Sequence, residues 1–301
     1  PNDGKNLQNP VFRDGQALYA NAAWSVKGFG VVLSGMSLDN MNFRSERFAT
    51  GNDLHINYLP ALSKNHTYAL AAMYPFSTQS NGQMAFNSEL FFKIPKTLKG
   101  IGGMHFSLNF SQVMALKKTD IQIDPELNGY EADIFTPSDE LYYQDFNIEV
   151  THKLTKAVKA TVVYIHQTYN IEQIQGKSGE DNVVSDIAIL DMTVKLNKKH
   201  ALRLETQHLA SKQFYGSWAS GMLEYTFAPH WFVSVADQFN YDNPKTEHKT
   251  HYYNTYAGFV RGGNRIQIGY GRQREGVICV GGVCRNTPAS NGFSVVLSST
   301  F

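Results

Sequence analysis

The chain has 301 residues with 27 basic and 26 acidic side chains, so no strong field favours nucleic acid or an anionic surface. Apolar residues make up 42% and aromatics 13%, with Tyr and Phe dominating, yet no apolar run reaches the length of a transmembrane helix. The sequence opens at Pro1 without a basic, apolar, small-residue leader, so a signal peptide is expected only outside it.

Period-2 alternation recurs along the whole length, and helical spacing is almost absent. In chain order the alternating segments are 17–26, 28–40, 54–62, 66–77, 83–95, 104–117, 142–154, 158–174, 183–197, 200–212, 216–229, 231–242, 250–262, 265–280 and 283–301, about fifteen strands. In 104–112 Met104, Phe106, Leu108 and Phe110 oppose His105, Ser107, Asn109 and Ser111. In 145–154 Phe146, Ile148, Val150 and Leu154 oppose Asn147, Glu149, Thr151 and Lys153. In 190–197 Leu190, Met192, Val194 and Leu196 oppose Asp191, Thr193, Lys195 and Asn197. Each segment therefore has one apolar and one strongly polar side.

The connections alternate in length. Short turns fall at 27–28, 63–65, 155–158, 198–200, 229–230 and 262–264, and longer polar stretches lie between them at 39–53, 117–141, 175–182 and 243–250. Such strands could pair into a soluble sandwich. Strands of about ten residues or more and alternating turn lengths instead favour a transmembrane, antiparallel, up-and-down β-barrel. One barrel domain over 1–301 is expected in the bacterial outer membrane, with long loops extracellular and short turns and the C-terminus periplasmic. Counting back from Phe301 makes 17–26 descend from outside, with 1–16 extracellular. An even-stranded barrel of 16 or more strands then needs further strands upstream, and 1–301 is its C-terminal part.

The segments 41–62, 65–82, 218–227, 251–259 and above all 269–293, with "ICVGGVCR" at 278–285, resemble an uncharacterised family of outer-membrane barrels from Bacteroidota. The resemblance runs along nearly all of the chain. It implies a barrel fold, the outer-membrane compartment and further β-sequence upstream; it brings no activity and no catalytic residues.

Cys279 and Cys284 flank Gly281-Gly282. Gly-Gly suits a primed two-residue hairpin turn, which places Val280 opposite Val283 and Cys279 opposite Cys284, close enough for a disulfide. Free thiols and a metal pair are the other readings; a structural zinc site would need two more ligands. The same register pairs Ile266 with Leu297, Ile268 with Val295 and Tyr270 with Phe293, and it sets Gln267 and Gly269 inward. The last two strands should form one long hairpin with a bulge at Pro288. Phe293, Val295, Leu297 and terminal Phe301 share a face and resemble the aromatic ending by which barrel assembly machinery recognises its clients.

Glu89, Lys93, Glu149, Lys153, Asp191, Lys195, Arg203, Glu205 and Glu224 fall on polar faces, which makes them candidate lumen residues that either brace a hydrated interior or select permeating ions. No plug is identified by the sequence. The 117–143 stretch is expected as a long acidic loop with Asp120, Asp124, Glu126, Glu131, Asp133, Asp139 and Glu140, without the ligand spacing of an EF-hand. No signature brackets His105, His166 or His208 as part of a catalytic triad, and His152 and His208 fall on apolar faces. No enzyme activity, cofactor, metal or nucleic acid is expected. Porin-like transport of polar solutes leads, with a non-conducting structural or accessory subunit of an assembly, secretion or uptake complex as the rival. The expected partners are outer-membrane lipid, the assembly machinery, and other outer-membrane proteins or surface lipoproteins.

Overall fold

The computed structural model describes residues 14–43, 45–46, 56, 58–124, 127–274, 276–280 and 283–300. Long alternating segments of β-branched and aromatic residues form strands β1 (Gln16–Val26), β2 (Phe29–Asp39), β3 (Gln83–Lys93), β4 (His105–Asp124), β5 (Leu127–Lys153), β6 (Val158–Tyr169), β7 (Val183–Lys195), β8 (His200–Ser211), β9 (Trp218–Phe227), β10 (Trp231–Asn240), β11 (His251–Arg261) and β12 (Asn264–Gln273). β13 (Gly276–Val280), β14 (Val283–Thr287) and β15 (Ser290–Ser298) complete the chain. Each of β1 to β11 pairs antiparallel with the next, and β15 ends the row against β12, giving a 13-stranded up-and-down sheet. β13 and β14 form a separate two-stranded ribbon. Among the described residues β1 pairs only with β2 and β15 only with β12.

The two faces of this sheet have opposite fates. Along β6, Val162 and Tyr164 are 53% and 41% exposed, whereas their neighbours Val163 and Ile165 are 3% and 0% exposed. The same alternation runs through β7, where Val183, Ser185, Ile187 and Ile189 are buried. What covers the inner face is the chain itself. Residues 59–82, between β2 and β3, fold back across the sheet and bury Leu62, Leu70, Met73, Tyr74 and Phe76 in one cluster with Tyr143, Ile165, Tyr169, Ile187 and Leu209.

This overturns the expectation of strands at 54–62 and 66–77. The part of that range the structure describes pairs with no strand. Alternation reports an extended chain with two unlike sides, and an extended chain can cross a sheet as well as join one. Pro60 and Pro75 also remove ladder donors. Ala72 N donates to Tyr68 O and Met73 N to Leu70 O, so the chain turns at the middle of the segment. The sequence identifies no plug; in the structure residues 59–82 cover the upper part of the inner face.

Three smaller corrections follow from local chemistry. The acidic 117–143 stretch is mostly ladder: Thr119 pairs with Glu131, Asp120 with Tyr130 and Ile121 with Gly129, so β4 and β5 run on as a hairpin with several register shifts. Glu126 lies outside the described residues. At its outer part the Asp133 carboxylate accepts from Thr136 Oγ1 and Phe135 N, which holds its pKa below the usual carboxylate range. The strand expected over 158–174 stops at Tyr169, because Asn170 caps a short helix, α1 (Ile171–Gln175), by accepting from Gln173 N. At the chain's end β12 and β15 pair Ile266 with Leu297, Ile268 with Val295 and Tyr270 with Phe293, the register read from the sequence. β13 and β14 continue it without a shift, pairing Gly276 with Thr287. The ladder therefore pauses at Pro288-Ala289 instead of bulging: Pro288 has no N–H to give, and equal numbers of residues are skipped on both strands.

Glycines in the last strands accommodate rings. A Cβ on Gly269 would collide with the ring of Tyr256, its cross-strand partner, and one on Gly258 would collide with the ring of Phe232. Gly269→Ala is expected to destabilise the folded protein by about 1–3 kcal/mol through overpacking. The loss should be visible as earlier thermal unfolding in detergent. In the Gly269→Ala, Tyr256→Ala double variant the two losses should add to less than their sum, and strict additivity would remove the ring contact as the cause.

Candidate functional site

The inner face carries a graded set of side chains from the long-loop end to the short-turn end. On β5 the order is Tyr143, Asp145, Asn147, Glu149, Thr151, Lys153, and on β7 it is Val183, Ser185, Ile187, Ile189, Asp191, Thr193, Lys195. Period-2 geometry puts each set on one side. The upper part is dry and filled by the folded-back segment, and the lower part is charged.

The segment is moored along this wall by its own alternate residues. Lys64 Nζ donates to Asn147 Oδ1 at 2.9 Å and lies 3.7 Å from Glu149 Oε2. His66 Nε2 donates to Asp145 Oδ2 at 2.7 Å, with both side chains buried. Tyr68 Oη donates to Asp191 Oδ2 at 3.2 Å, and Leu70 N donates to Gln207 Oε1 at 2.8 Å. Over seven residues the chain steps from β5 to β7 to β8, crossing the strands. Above these bonds Phe76 stacks on Tyr143 at 5.1 Å between centroids, and Tyr74 meets Tyr169 at 5.5 Å.

Behind Lys64 and His66 lies an amide network. Asn109 Nδ2 and Ser111 Oγ both donate to Asn87 Oδ1 at 2.8 Å, and Asn147 Nδ2 donates to Asn109 Oδ1 at 3.3 Å. Tyr143 Oη donates to Asp145 Oδ2 at 3.2 Å and accepts from Gln167 Nε2 at 3.0 Å. These buried polar groups on β3 to β6 are thus paired with one another and with the crossing segment, while Gln83 Nε2 and Gln167 Oε1 are buried without a partner.

The nine candidate interior charges all sit on this face. Arg203 grips Asp191 through Nε at 3.0 Å and Nη2 at 2.9 Å, and Nη2 also reaches Glu205 Oε2 at 2.7 Å. Gln207 Nε2 completes Glu205 at 2.7 Å, and Glu224 stands opposite Arg203 in the ladder. Glu89 accepts from Asn87 Nδ2 at 3.4 Å. Lys93 pairs with His105 across β3 and β4, Lys153 with Lys159 across β5 and β6, and Lys195 with Ala201 across β7 and β8. Sequence reasoning missed Lys64, His66 and Tyr68, because it assigned them to a turn and a strand. The signal that could have found them is their spacing at every second residue beside Pro60 and Pro75.

Toward the short-turn end the wall opens into a recess of about 590 Å³ whose lining includes Lys64, Lys93, His105, Ser107, Glu149 and Thr151.

The outward face carries two bands of rings. Near the short turns His200 bonds Tyr225 and stacks on Phe227 at 4.9 Å, Phe92 stacks on Phe106 at 4.5 Å, and Trp231 meets Phe259 at 4.8 Å. Near the long loops His208 bonds Tyr241 at 2.7 Å, His166 and Tyr164 both bond Asp186, and His251 stacks on Phe239 at 4.1 Å while bonding Asp237. Between the bands lie Val162, Leu190, Leu223, Val233, Val235 and Ile268, all exposed. His208, expected on an apolar face, is on it; His166 shares the outward face with Asp186.

In the terminal ribbon Cys279 and Cys284 face each other in the ladder. Gly281, Gly282 and Phe301 lie outside the described residues. Phe293, Val295 and Leu297 line the outward face of β15, with Leu297 73% exposed.

These features define an all-β, antiparallel, up-and-down sheet with an apolar outside and a hydrogen-bonded polar inside. The chain belongs to a family of unknown function, DUF6029, which matches residues 2–301. No curated protein matches it. Among solved structures it is similar to a triple mutant of Rhodopseudomonas blastica porin, at 10% identity and a TM-score of 0.42, covering 94% of this chain and 89% of that one. A five-site mutant of the same porin gives 10% identity, a TM-score of 0.41 and the same coverage. Likeness at this level adds nothing to what the strand order already establishes.

Asp145→Ala strands His66 and removes a bond to charge worth roughly 2 kcal/mol, on the order of a 30-fold rise in the opened segment. Limited trypsinolysis of the folded protein should then cut after Lys64 at least about ten-fold faster than in the wild type. An unchanged cleavage rate would show that the mooring does not hold the segment.

Proposed function

We propose that this sheet is the wall of an outer-membrane β-barrel and that polar solutes pass along its inner face beside the folded-back segment. The observation that carries this reading is the inverted polarity. Val162, Leu190, Val233, Val235, Ile268 and Leu297 would each forgo about 2 kcal/mol of burial in water, while Asn109, Asp145, Asn147 and Gln167 are buried within. A lipid exterior suits the first set and a partly hydrated lumen the second. The ring bands at His200 and His208 are nine residues apart, counting both, the length with which a tilted strand crosses a bilayer.

The rest of the topology fits the same setting. Thirteen alternating strands leave β1 and β15 running in the same direction. An all-antiparallel barrel therefore needs an odd number of additional strands between those two edges, since unpaired edges are not tolerated in hydrocarbon. Short turns and the C-terminus lie on the periplasmic side, and the β4–β5 hairpin and terminal ribbon rise outside. Cys279 and Cys284 form a disulfide at the ribbon's tip, supported by their direct pairing and by an oxidising exterior. Phe293, Val295, Leu297 and Phe301 act as the closing-strand signal for barrel assembly machinery. The hairpin and ribbon are surfaces for other outer-membrane proteins or surface lipoproteins.

A second reading has its own support: the dry cluster of Leu70, Tyr74, Phe76, Ile165, Ile187 and Leu209 fills the upper interior. If that plug is permanent, the protein is a non-conducting subunit of an outer-membrane complex. Pure protein in planar bilayers separates the two. Stable ion steps are expected, and in a Cys279→Ser, Cys284→Ser background a bulky thiol reagent should shrink them at Ser107→Cys, in the recess, but not at Val162→Cys, on the outside. Silence, together with a co-purifying complex, would favour the subunit.

A further inference from the structure

The inner-face charges are sorted by height. β3, β5 and β7 all run toward the short turns, and each carries a carboxylate followed four residues later by a lysine: Glu89 and Lys93, Glu149 and Lys153, Asp191 and Lys195. Four residues return to the same face about 13 Å further along the strand. Three parallel copies of this spacing build an acidic waist above a basic rim. The intervening antiparallel strands add to the rim, not to the waist. β6 places Lys159 directly opposite Lys153, and β4 places His105 directly opposite Lys93. His105 stands between Lys93 of β3 and Thr151 of β5 in the ladder, two residues along from Lys153.

Like charges held opposite each other in a ladder work against folding. At the waist the conflict is resolved internally: Arg203 bridges Asp191 and Glu205, and Lys64 answers Glu149. At the rim no such answer exists on the inner positions of β3 to β7. The residues there are Phe91, Lys93, His105, Ser107, Thr151, Lys153, Lys159, Thr161, Thr193 and Lys195, none of them acidic. The recess of about 590 Å³ opens at this level, with Lys64, Lys93, His105 and the Ser107 hydroxyl in its lining beside Phe29 and Phe91; Glu149 is its one carboxylate. That volume falls in the range of small-molecule sites.

We infer that the short-turn mouth of the lumen is a binding station for small multivalent anions carrying phosphate or clustered carboxylate groups. Lys93 and Lys64 hold the anion in the recess beside His105, and Lys153 and Lys159, paired at the adjoining rim, add their positive field. The acidic waist above, whose carboxylates Lys64 and Arg203 answer only in part, discourages its passage. This rests on the lumen reading, because the residues must face a solute-accessible interior. It goes beyond that reading by naming the solute class and the end of the pore at which it is held.

Inorganic pyrophosphate is the probe, titrated calorimetrically into the detergent-solubilised protein at low salt. Saturable binding is expected, weakening steeply as salt rises. Lys153→Gln together with Lys159→Gln should weaken it at least about ten-fold while raising the melting temperature, since the substitution relieves a repulsion. A merely structural pair would not give these opposite signs. Lys198→Gln, in the turn, should change neither. Equal affinity in the double variant and the wild type, or no saturable binding at low salt, would overturn the inference. So would binding only of an acidic polypeptide and not of pyrophosphate, which would make the rim a protein contact. Because binding is read without conduction, a protein that conducts but does not bind pyrophosphate loses only this inference. One that binds and stays silent in bilayers loses only the transport reading.

Discussion

The antiparallel ladder is the constraint on which everything else depends. Once β2 to β12 each commit their backbone groups to both neighbours, successive side chains have no choice but to alternate between two faces. With period 2 fixed, the environment of a residue is decided by the parity of its number within the strand. Val162 and Val163 are chemically identical, yet one is exposed and the other buried. The register also brings Asn87, Asn109 and Asn147 into lateral contact, so an amide row forms from residues far apart in the chain. A slip of one residue in β4 would move Asn109 outward and bring an apolar neighbour into the row, breaking it in two places.

A polar inner face creates a second requirement, because groups that are covered must be bonded. The folded-back segment meets it in two ways. Its apolar side chains cover the upper wall, where β6 to β8 offer Ile165, Ile187 and Leu209. Its polar side chains reach the carboxylates and amides below, through Lys64, His66 and Tyr68. The boundary between dry and charged interior is therefore set by where the segment crosses, and the recess begins where it ends. An interior partly filled by protein and partly open is compatible with a filter as much as with a plug; the difference is one of motion.

How much of this could be read beforehand varies with the physical origin of the signal. The strands over 83–95, 104–117, 183–197 and 231–242 were legible because two-sided alternation sustained over ten or more residues is the mark of a strand between two unlike environments. The β12–β15 register was legible because Gly281-Gly282 fixes a turn and parity then fixes every pair. The two strands expected in 54–62 and 66–77 were misread for a physical reason: an extended chain crossing a wall alternates for the same stereochemical reason as one joining it. The acidic 117–143 stretch reads as a loop because the charges that suggest solvent also suit a two-stranded hairpin, as the pairing of Asp120 with Tyr130 illustrates.

Local signals carry the all-β class, the antiparallel order of the strands, the face on which most side chains fall and the position of Cys279 opposite Cys284 in the ladder, because each is a consequence of period 2 and turn geometry. The sequence also contains the Glu89/Lys93, Glu149/Lys153 and Asp191/Lys195 spacing from which the charge layers are built. Tertiary contacts alone place residues 59–82 on the inner face of the sheet, His66 against Asp145, and Lys153 and Lys159 at the level of His105. Those contacts join residues up to 137 positions apart, as between Leu70 and Gln207. Their partners are chosen by which wall the crossing segment meets, and no local pattern encodes that choice.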